Sequence, residues 1–283
     1  MRIGFSERAS HRLVDLQQCE ILHPSLLALL APLRRLLPEF AGTRRLAIRM
    51  ALADQGVDLL LAGIEAAGPE ANERLVRFAR ENGLARVSVD EGFGPFPRWE
   101  PEPVTITLSG HPVALPEGAF LQATADGEAT LVSSVREALT GAERVADLFA
   151  GLGTFALAMD ARVHAVEGSR DAVLALGQVA KRAGGGVSVE HRDLFRKPLA
   201  ASEAARFAAV ILDPPRAGAL EQVRELASSG VARIAYVSCN PATFARDAKI
   251  LVQGGFALCW IQPVGQFLWS THVELAACFE RTG

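Results

Sequence analysis

The pattern of hydrophobic and polar positions divides the chain near residue 118. Before that point, two segments repeat apolar residues at helical spacing, and several short runs have the character of strands. This mixture is typical of a smaller α+β domain over residues 1–117. Residues 92–103 are rich in glycine and proline and are predicted to form a loop. The predicted elements are helices at 24–37 and 69–81, strands at 46–52 and 57–62, and a hairpin made by 104–108 and 112–115.

From residue 118 onward, apolar strand-like runs alternate with amphipathic helical segments. Because a strand, a helix and a second strand in succession form a crossover between parallel strands, this order predicts a mostly parallel sheet wound by helices over residues 118–283. The predicted strands are 144–149, 162–167, 187–191, 207–213, 232–238, 256–264 and 273–279, and the predicted helices are 128–139, 154–159, 169–182, 220–228 and 241–253.

Composition and charge narrow the class of protein. The 283 residues are 49% hydrophobic and 22% charged, which excludes a disordered chain. With 29 Lys and Arg against 32 Asp and Glu, the net charge is −3, so any contact with phosphates must come from a local patch. No apolar stretch has the length of a membrane span, and the first residues do not resemble a signal peptide. We therefore expect a monomeric, cytoplasmic protein with no membrane partner.

The four cysteines do not indicate a metal site. Cys19, Cys239, Cys259 and Cys278 are too scattered for a disulfide framework, and no Cys-x-x-Cys pair suggests zinc. Cys259 and Cys278 lie inside apolar strands and are expected to be buried as small hydrophobic residues. Cys239 differs from them because it follows a predicted strand and precedes a predicted helix.

A glycine-containing turn follows the first strand of the second part, at the edge where open parallel sheets bind ligands. Gly151 and Gly153 allow the backbone to turn tightly ahead of a predicted helix N-terminus. Glu167, which ends the next strand, is placed to accept hydrogen bonds from ribose hydroxyls. Two glycines alone usually just end a strand, and only Gly-x-Gly of the dinucleotide pattern is present. With Glu167 downstream, the pattern favours S-adenosylmethionine over NAD.

Two further strand ends carry candidate chemistry. Asp213 is followed by two prolines, which fix a rigid loop that would hold the carboxylate against a ligand, although Asp-Pro also makes ordinary turns. Cys239 ends the predicted strand 232–238, just ahead of a helix that begins near Pro241. The dipole of that helix is expected to lower the pKa of the Cys239 thiol and to favour the nucleophilic thiolate.

Together, these segments resemble the RNA 5-methyluridine methyltransferase family, whose bacterial members methylate carbon 5 of uracil in ribosomal or transfer RNA. The resemblance implies a Rossmann-like class I S-adenosylmethionine methyltransferase domain at 118–283, with an antiparallel last strand, and an RNA-contacting central α+β domain at 1–117. It extends to Ser10-His11 near the start. The resembling segments are residues 147–155, 166–168, 213–218, 238–247 and 272–274.

The resemblance also implies the roles of individual residues. Cys239 would be the nucleophile that adds to uracil carbon 6, and Glu274 the base that removes the carbon-5 proton, with its pKa raised by a dry pocket. RNA, with 23S rRNA favoured over tRNA, would be the partner. Beside the resemblance, Arg216, Arg246 and His272 are candidate contacts to the RNA; the arginines are equally consistent with solvated surface charges, and His272 with an ordinary hydrogen-bonded histidine. The contacts to S-adenosylmethionine that the resemblance implies are Gln122, Phe149, Thr154, Glu167, Asp193 and Asp213. The two glycines of the turn, Gly151 and Gly153, are expected to join them.

The sequence departs from the family at three places. The chain starts later than the small N-terminal RNA-binding barrel of most members. Cys19 matches the last of four iron–sulfur cysteines, but the other three are absent, so no cluster is expected. Leu268 and Ser270 stand where the family usually has Pro and Thr, which affects the loop before His272.

Several alternatives stay open. Within the family, the target is either 23S rRNA, which Cys19 favours as a remnant of the cluster site, or tRNA. An RNA cytosine-5 methyltransferase also uses a cysteine, but it would place Pro-Cys after a different strand and lacks this glutamate. A non-catalytic RNA-binding or assembly factor with the same fold would have no need of Cys239 and Glu274.

Overall fold

The computed structural model describes residues 1–7, 10, 12–40, 46–267 and 270–282. His11 and Leu268, which entered the comparison with the family, lie outside these ranges. Contacts between residues divide the chain into two compact units. The first comprises residues 1–106 and 114–119, and the second comprises 107–113 and 120–283.

The first unit is built on a four-stranded sheet in the order β3-β4-β5-β6, in which only β4 and β5 are parallel. Its apolar core lies between this sheet and the helices. A short pair, β1 and β2, precedes the sheet. The two-stranded hairpin of β7 and β8 follows it in the chain, and residues 107–113 of that hairpin belong to the second unit. The elements are β1 (Gly4–Ser6), β2 (Leu13–Asp15), α1 (Pro24–Ala28), α2 (Leu30–Leu36), a 3-10 turn (Leu37–Glu39), β3 (Ala47–Ala53), β4 (Gly56–Ala62), α3 (Pro69–Glu81), β5 (Leu84–Asp90), β6 (Pro95–Trp99), β7 (Thr105–Leu108) and β8 (His111–Ala114).

Two predictions for this unit are wrong in part. The predicted loop 92–103 contains strand β6, which tolerates Pro95 and Pro97 because it lies at the edge of the sheet, where a missing N–H is harmless. The single helix predicted at 24–37 is interrupted at Leu29, since Pro32 has no N–H to donate to the carbonyl one turn before it.

The second unit is a seven-stranded sheet in the order β11-β10-β9-β12-β13-β15-β14. Every pair from β11 to β13 is parallel, and β15 runs antiparallel to both of its neighbours, as predicted. An apolar core lies on each face of the sheet. The elements are α4 (Ala125–Ala138), β9 (Arg144–Leu148), β10 (Arg162–Glu167), α5 (Arg170–Arg182), β11 (Val187–His191), α6 (Ala201–Ala204), β12 (Ala209–Leu212), α7 (Leu220–Ala227), β13 (Arg233–Ser238), α8 (Pro241–Gln253), β14 (Phe256–Val264) and β15 (Glu274–Arg281).

The helix predicted at 154–159 is wrong. This segment forms successive turns, closed by hydrogen bonds from the Leu157 N–H to the Gly153 carbonyl and from the Ala158 N–H to the Phe155 carbonyl. Its apolar spacing reflects the burial of Phe155 and Ala156 in the core rather than a helical face. The glycine turn is therefore followed by further turns and not by a helix N-terminus.

The parallel strands give the second unit two chemically distinct sides. Their last residues meet at what we call the carboxyl edge, which also includes the start of the antiparallel strand β15. Their first residues meet at the opposite side, the amino edge, where β15 ends. No helix in the described part of the chain is long and apolar enough to cross a membrane.

Candidate active site

Strand pairing brings Cys239 and Glu274 together at the carboxyl edge. Ser238, the last residue of β13, pairs with Leu275 of β15, so Cys239 and Glu274 occupy the next position along the two strands. Cys239 is half-buried, whereas Glu274 is only 8% exposed. The thiol and the carboxylate that the sequence assigned to nucleophile and base are thus neighbours across an antiparallel pair.

The electrostatics of this pair differ from the prediction for Cys239. Burial raises the pKa of the Cys239 thiol, and the negative charges of Glu274 and Asp213 raise it further. The backbone N–H of Cys239 and the positive charge of Arg216 lower that pKa, but they do not outweigh burial and the two carboxylates. The predicted lowering by the helix N-terminus is therefore wrong, because the sequence could not show two acids facing the sulfur.

Both acids themselves have raised pKa values. Burial, followed by repulsion from Glu274, raises the pKa of Asp213 to about 7. Burial also raises the pKa of Glu274, as predicted, against an opposing effect of His272, whose Nε2 lies 3.8 Å from a Glu274 carboxylate oxygen. His272 is also in ring contact with Phe267. These acids and the thiol are mutually repelling when ionised, so each favours the protonated form of the others.

A buried carboxylate on α8 holds the loop that follows Asp213. Asp247 is fully buried, and its Oδ2 accepts hydrogen bonds from the Ala219 N–H at 2.8 Å and the Tyr236 hydroxyl at 2.7 Å. Its Oδ1 is bound by Arg246, which also donates to the Ala217 carbonyl at 3.1 Å. The helix that begins beside Cys239 is therefore tied to the loop after β12, and this network occupies part of the Arg246 guanidinium.

The same loop is tied to the start of α8. The Asn240 side chain donates to the Arg216 carbonyl at 3.0 Å and accepts from the Ala242 N–H, so it caps the helix while anchoring the loop. The Arg216 side chain itself is exposed. Gly218 adopts φ +75°, and a Cβ there would lie 2.6 Å from Arg246 and 2.7 Å from Asp247. Only glycine fits this position.

The expected cofactor residues lie along the same edge. Glu167 accepts hydrogen bonds from the Gly151 N–H at 2.9 Å and the Ser169 N–H at 2.6 Å, so its carboxylate closes the glycine turn. Phe149 adopts φ +64°, a strained conformation for a residue with a side chain, and its ring packs 5.4 Å from that of Phe195.

The remaining expected cofactor residues lie in the neighbouring loops. Asp193 accepts from the backbone N–H groups of Phe195 and Arg196, and Thr154 lies in the turns after Gly153. The side chain of Gln122 accepts a hydrogen bond at 3.0 Å from Gln266, a residue of the loop after β14.

Sequence reasoning assigned no role to Asp147, which the structure distinguishes. Asp147 is fully buried in β9, and neither of its oxygens has a hydrogen-bond partner among the described residues. Burial raises its pKa well above the usual range and the charges of Asp213 and Glu167 raise it further, whereas the nearby Ala156 backbone N–H lowers it. An acid among the apolar residues of a buried strand was the available signal, since buried acids are rarely unpaired.

The other cysteines have different surroundings. Cys19, in the first unit, accepts the Leu22 N–H at its sulfur. Cys278 is buried as expected, but Cys259 is exposed. Cys259 lies at a bulge of β14, where the register with β15 shifts between Leu258 and Trp260, so it has no paired residue on β15. Cys259, Cys278 and Glu280 have potential ligand atoms within 4.8 Å of one another, which is one protein ligand fewer than a structural zinc site requires.

Comparisons with known proteins identify relatives of this chain. The family model described as tRNA (Uracil-5-)-methyltransferase matches residues 188–282. An RNA methyltransferase of Zymomonas mobilis is 54% identical, over 99% of this chain and 72% of that protein. The 23S rRNA (uracil(1939)-C(5))-methyltransferase RlmD of Chromohalobacter salexigens is 37% identical, over 96% of this chain and 60% of that protein.

A solved structure confirms the predicted fold. The tRNA (uracil-54, C5)-methyltransferase of Pyrococcus abyssi, crystallised with S-adenosyl-L-homocysteine, superposes with a TM-score of 0.73 at 21% identity. The match covers 98% of this chain and 72% of that one. The sequence relatives and the architecture agree that this chain belongs to the RNA (uracil-5-)-methyltransferase family.

Proposed function

We propose that this protein methylates carbon 5 of a uridine in 23S rRNA, using S-adenosylmethionine and a covalent adduct on Cys239. The observation that carries the proposal is the pairing of β13 with β15, which sets Cys239 beside Glu274 at the carboxyl edge. A nucleophile and a base at neighbouring positions are the two groups that this chemistry requires.

Carbon 5 of uracil is a poor nucleophile until carbon 6 is attacked. The Cys239 thiolate adds to carbon 6, and the electrons of the carbon 5–carbon 6 double bond move to oxygen 4 as an enolate. Carbon 5 is then nucleophilic and would take the methyl group that S-adenosylmethionine supplies, with the sulfonium carbon–sulfur bond breaking and S-adenosylhomocysteine as the leaving group. Glu274 removes the remaining carbon-5 proton, the double bond re-forms, and the bond between carbon 6 and sulfur breaks to return the thiolate.

The half-buried position of Cys239 requires that the uridine leave its base stack to reach the thiol. Arg216, whose side chain is exposed beside the loop after β12, and His272, which faces Glu274, are the proposed contacts to the displaced nucleotide. Arg246 has a smaller share in this proposal, since Asp247 and the Ala217 carbonyl already hold its guanidinium.

The residues at the glycine turn fit S-adenosylmethionine, which supplies an activated methyl group when bound. The fit rests on Asp147, a buried carboxylate without a partner near the turn, because an unpaired acid suits a cationic ligand. We propose that Glu167 and Asp193 bind the ribose and adenine side, that Phe149 packs against the nucleoside, and that Gln122, Thr154 and Asp213 complete the pocket with Gly151 and Gly153.

The choice of 23S rRNA rests on the relative RlmD, whose name gives that substrate. The names of the matching family model and of the Pyrococcus abyssi structure give tRNA instead. We further propose that residues 1–117 form a domain that contacts the RNA. Mapping of 5-methyluridine in 23S rRNA and tRNA from a deletion strain distinguishes the two targets.

Covalent trapping tests the mechanism. RNA that carries 5-fluorouridine cannot lose a proton from carbon 5, so the wild-type protein with S-adenosylmethionine should form an adduct that survives denaturation. Cys239→Ala should form none, whereas Cys259→Ala, at an exposed position on β14, should trap as much RNA as the wild type. Clear binding of S-adenosylmethionine without any adduct would contradict the thiolate mechanism and favour a non-catalytic RNA-binding factor.

A further inference from the structure

Three arginines converge at the amino edge because parallel strands begin there side by side. Arg144 is the first residue of β9 and Arg162 the first residue of β10, and the two are directly paired in the sheet. Arg206 lies just ahead of β12, whose approach is fixed by the Ala208 N–H bonding to the Arg144 carbonyl at 2.9 Å. All three side chains are exposed.

These three arginines make no close ion pair with any described residue, although the charge of Arg206 acts on the nearby Glu203 carboxylate. Among the residues that the structure describes, no carboxylate lies within 4.0 Å of the guanidinium of Arg144, Arg162 or Arg206. Arg192 and Arg224, by contrast, bind glutamates at 2.6–2.9 Å. Like charges directly opposite each other in a sheet destabilise it, so this arrangement is suited to an anion that neutralises both.

Flat side chains complete the surroundings. The guanidinium carbons of Arg144 and Arg206 lie 6.0 and 5.9 Å from the centre of the Phe207 ring. His164 stacks on Phe207 at 5.7 Å and 12°, and it is held there by Ser188 and Glu190 at 3.0 Å each. Arg206 also donates from Nε to the Glu203 carbonyl at 3.1 Å. Among the described residues, the terminal N–H groups of the three guanidinium groups have no hydrogen-bond partner, so they are available to a ligand.

The three arginines, His164 and Phe207 line an open cavity of about 360 Å³. Gly185 and Gly186 border it on one side. Positive charge, a ring stack and a backbone without side chains are the features by which proteins hold a nucleic-acid strand. We infer that this arginine pocket, formed by Arg144, Arg162, Arg206, His164 and Phe207, binds the phosphate backbone of the RNA substrate. The inference rests on the proposed function for its choice of ligand.

The pocket would attract RNA phosphates locally, although the net charge of −3 makes the molecule as a whole mildly repulsive to RNA. It lies on the side of the sheet opposite Cys239, so a bound strand there cannot be the nucleotide under reaction. It would hold a flanking segment of a long RNA. Short oligonucleotides that reach only the carboxyl edge should not use it.

The test compares the triple variant Arg144→Gln/Arg162→Gln/Arg206→Gln with a triple lysine variant at the same positions. Binding to a structured rRNA fragment is measured by filter retention at several salt concentrations. Each lost phosphate contact should reduce the slope of log affinity against log salt by about 0.7–0.9, so three lost contacts should reduce it by about 2–3. If the two proteins bind alike near 1 M salt, the glutamine variant should bind roughly 100-fold more weakly near 0.1 M salt. The lysine variant should keep the slope. Arg224→Gln, which removes an exposed arginine with a carboxylate partner, is the control.

The outcomes separate the pocket from the proposed function. The glutamine variant should trap a short 5-fluorouridine oligonucleotide as the wild type does, which also shows that it is folded. If the affinity and the salt slope of that variant are unchanged, the arginine pocket does not bind RNA, even if methylation is confirmed. If the wild type binds RNA through the pocket but forms no adduct, the proposed function fails and the pocket stands. Loss of binding in the lysine variant with loss of trapping would mean that the arginines only stabilise the fold, and would also overturn the pocket.

Discussion

The two edges of the catalytic sheet carry different ionisable side chains, with buried acids at the carboxyl edge and exposed arginines at the amino edge. At the carboxyl edge, Asp147, Asp213 and Glu274 are buried or nearly so and all have raised pKa values. At the amino edge, Arg144 and Arg162 begin adjacent strands and are exposed. Since the strands are parallel, this sorting follows from which residues stand first and last in each strand. A net charge near zero therefore conceals a cluster of buried acids at one edge and a group of exposed arginines at the other.

The edges also differ in how tightly they are constructed. The carboxyl edge is locked by a buried network around Asp247, whereas the amino edge presents an open cavity between solvent-exposed side chains. Chemistry on a displaced base needs groups fixed in position, and backbone binding needs only charge at an accessible surface. We expect substitutions at the carboxyl edge to have large and specific effects, and matched substitutions at the amino edge to have small effects on catalysis.

The largest contrast is expected between the two ends of β15. Glu274→Gln removes the proposed base at the carboxyl edge, and general-base catalysis is typically worth about 10²- to 10⁴-fold, so turnover should fall by that factor. Glu280→Gln changes the exposed glutamate near the amino edge of the same strand and should leave turnover unchanged. The measurement is incorporation of labelled methyl groups into RNA.

The state of the trapped RNA sharpens this prediction. In Glu274→Gln the methyl group can be transferred but the carbon-5 proton stays, so methylated RNA should accumulate covalently bound to Cys239. If Glu274→Gln turns over at the wild-type rate, another group is the base and the assignment is wrong.

Two glycines with nearly the same backbone conformation allow the tightness of packing at the two edges to be compared. Gly218 has φ +75° at the carboxyl edge, where a Cβ would lie 2.6 Å from Arg246, whereas Gly141 has φ +76° ahead of β9, with nothing within 4 Å. Gly141→Ala should cost only the left-handed conformation, about 1 kcal/mol of unfolding free energy. Gly218→Ala should add a steric clash, for a total of roughly 2–4 kcal/mol.

Urea unfolding of the two glycine variants measures the difference. Gly218→Ala should also reduce the rate of trapping of 5-fluorouridine RNA, because the loop after Asp213 has to shift. Equal destabilisation by both substitutions would show that the Asp247 network gives way easily, and the contrast in rigidity between the edges would be lost.

The sequence predicted the elements whose ends are marked by local chemistry. Helices α3 and α8 have the predicted bounds, since each begins with a proline at its first position. The helix at 154–159 was predicted wrongly, because apolar spacing does not distinguish buried turns from a buried helical face. Strand β6 was missed because proline suppresses a strand prediction irrespective of its place in the sheet.

The site was predictable as a set of residues but not as an electrostatic arrangement. The motifs around Asp213 and Cys239 and the closing Glu274 are recognisable in sequence. The raised pKa of the Cys239 thiol depends on acids from β15 and from the end of β12, which only strand pairing brings near it. The arginine pocket likewise has no sequence motif, since the pairing of Arg144 with Arg162 is a matter of register.

Asp147, the buried acid at the carboxyl edge, should lower the stability of the free protein and increase its affinity for S-adenosylmethionine. Asp147→Asn removes a carboxyl group that is costly to ionise in the core, so it should stabilise the free protein by about 2 kcal/mol at pH 8. The same change should weaken S-adenosylmethionine binding by about tenfold, since a hydrogen bond to a charged group contributes roughly 1.5–3 kcal/mol. Asp160→Asn, an exposed acid at the amino edge, should change neither quantity.

Calorimetric titration and urea unfolding give the two numbers for Asp147→Asn. Stabilisation without any loss of affinity would leave Asp147 as a structural residue of β9 and would remove it from the proposed cofactor site. Destabilisation would show that the carboxyl group has a partner in solution.

The smallest effect expected is on the pH dependence of stability. Asp213 has a pKa of about 7 in the folded protein against 3.8 in its ordinary state. The folded protein therefore holds a proton that the unfolded chain releases, and stability contributed by Asp213 falls as pH rises from about 4 to 7. A three-unit shift corresponds to about 4 kcal/mol, but partial access of water should reduce the observed change to roughly 1 kcal/mol.

Asp213→Asn should remove this dependence, so the free energy gained by the variant over the wild type should grow between pH 5 and pH 8 in urea unfolding. Asp160→Asn, which changes an exposed acid at the amino edge, should show no such growth and serves as the control. A gain that is constant with pH would mean that Asp213 is already ionised in the free protein. The repulsion between Asp213 and Glu274 would then be relieved by solvent, and the carboxyl edge would be as open to water as the amino edge.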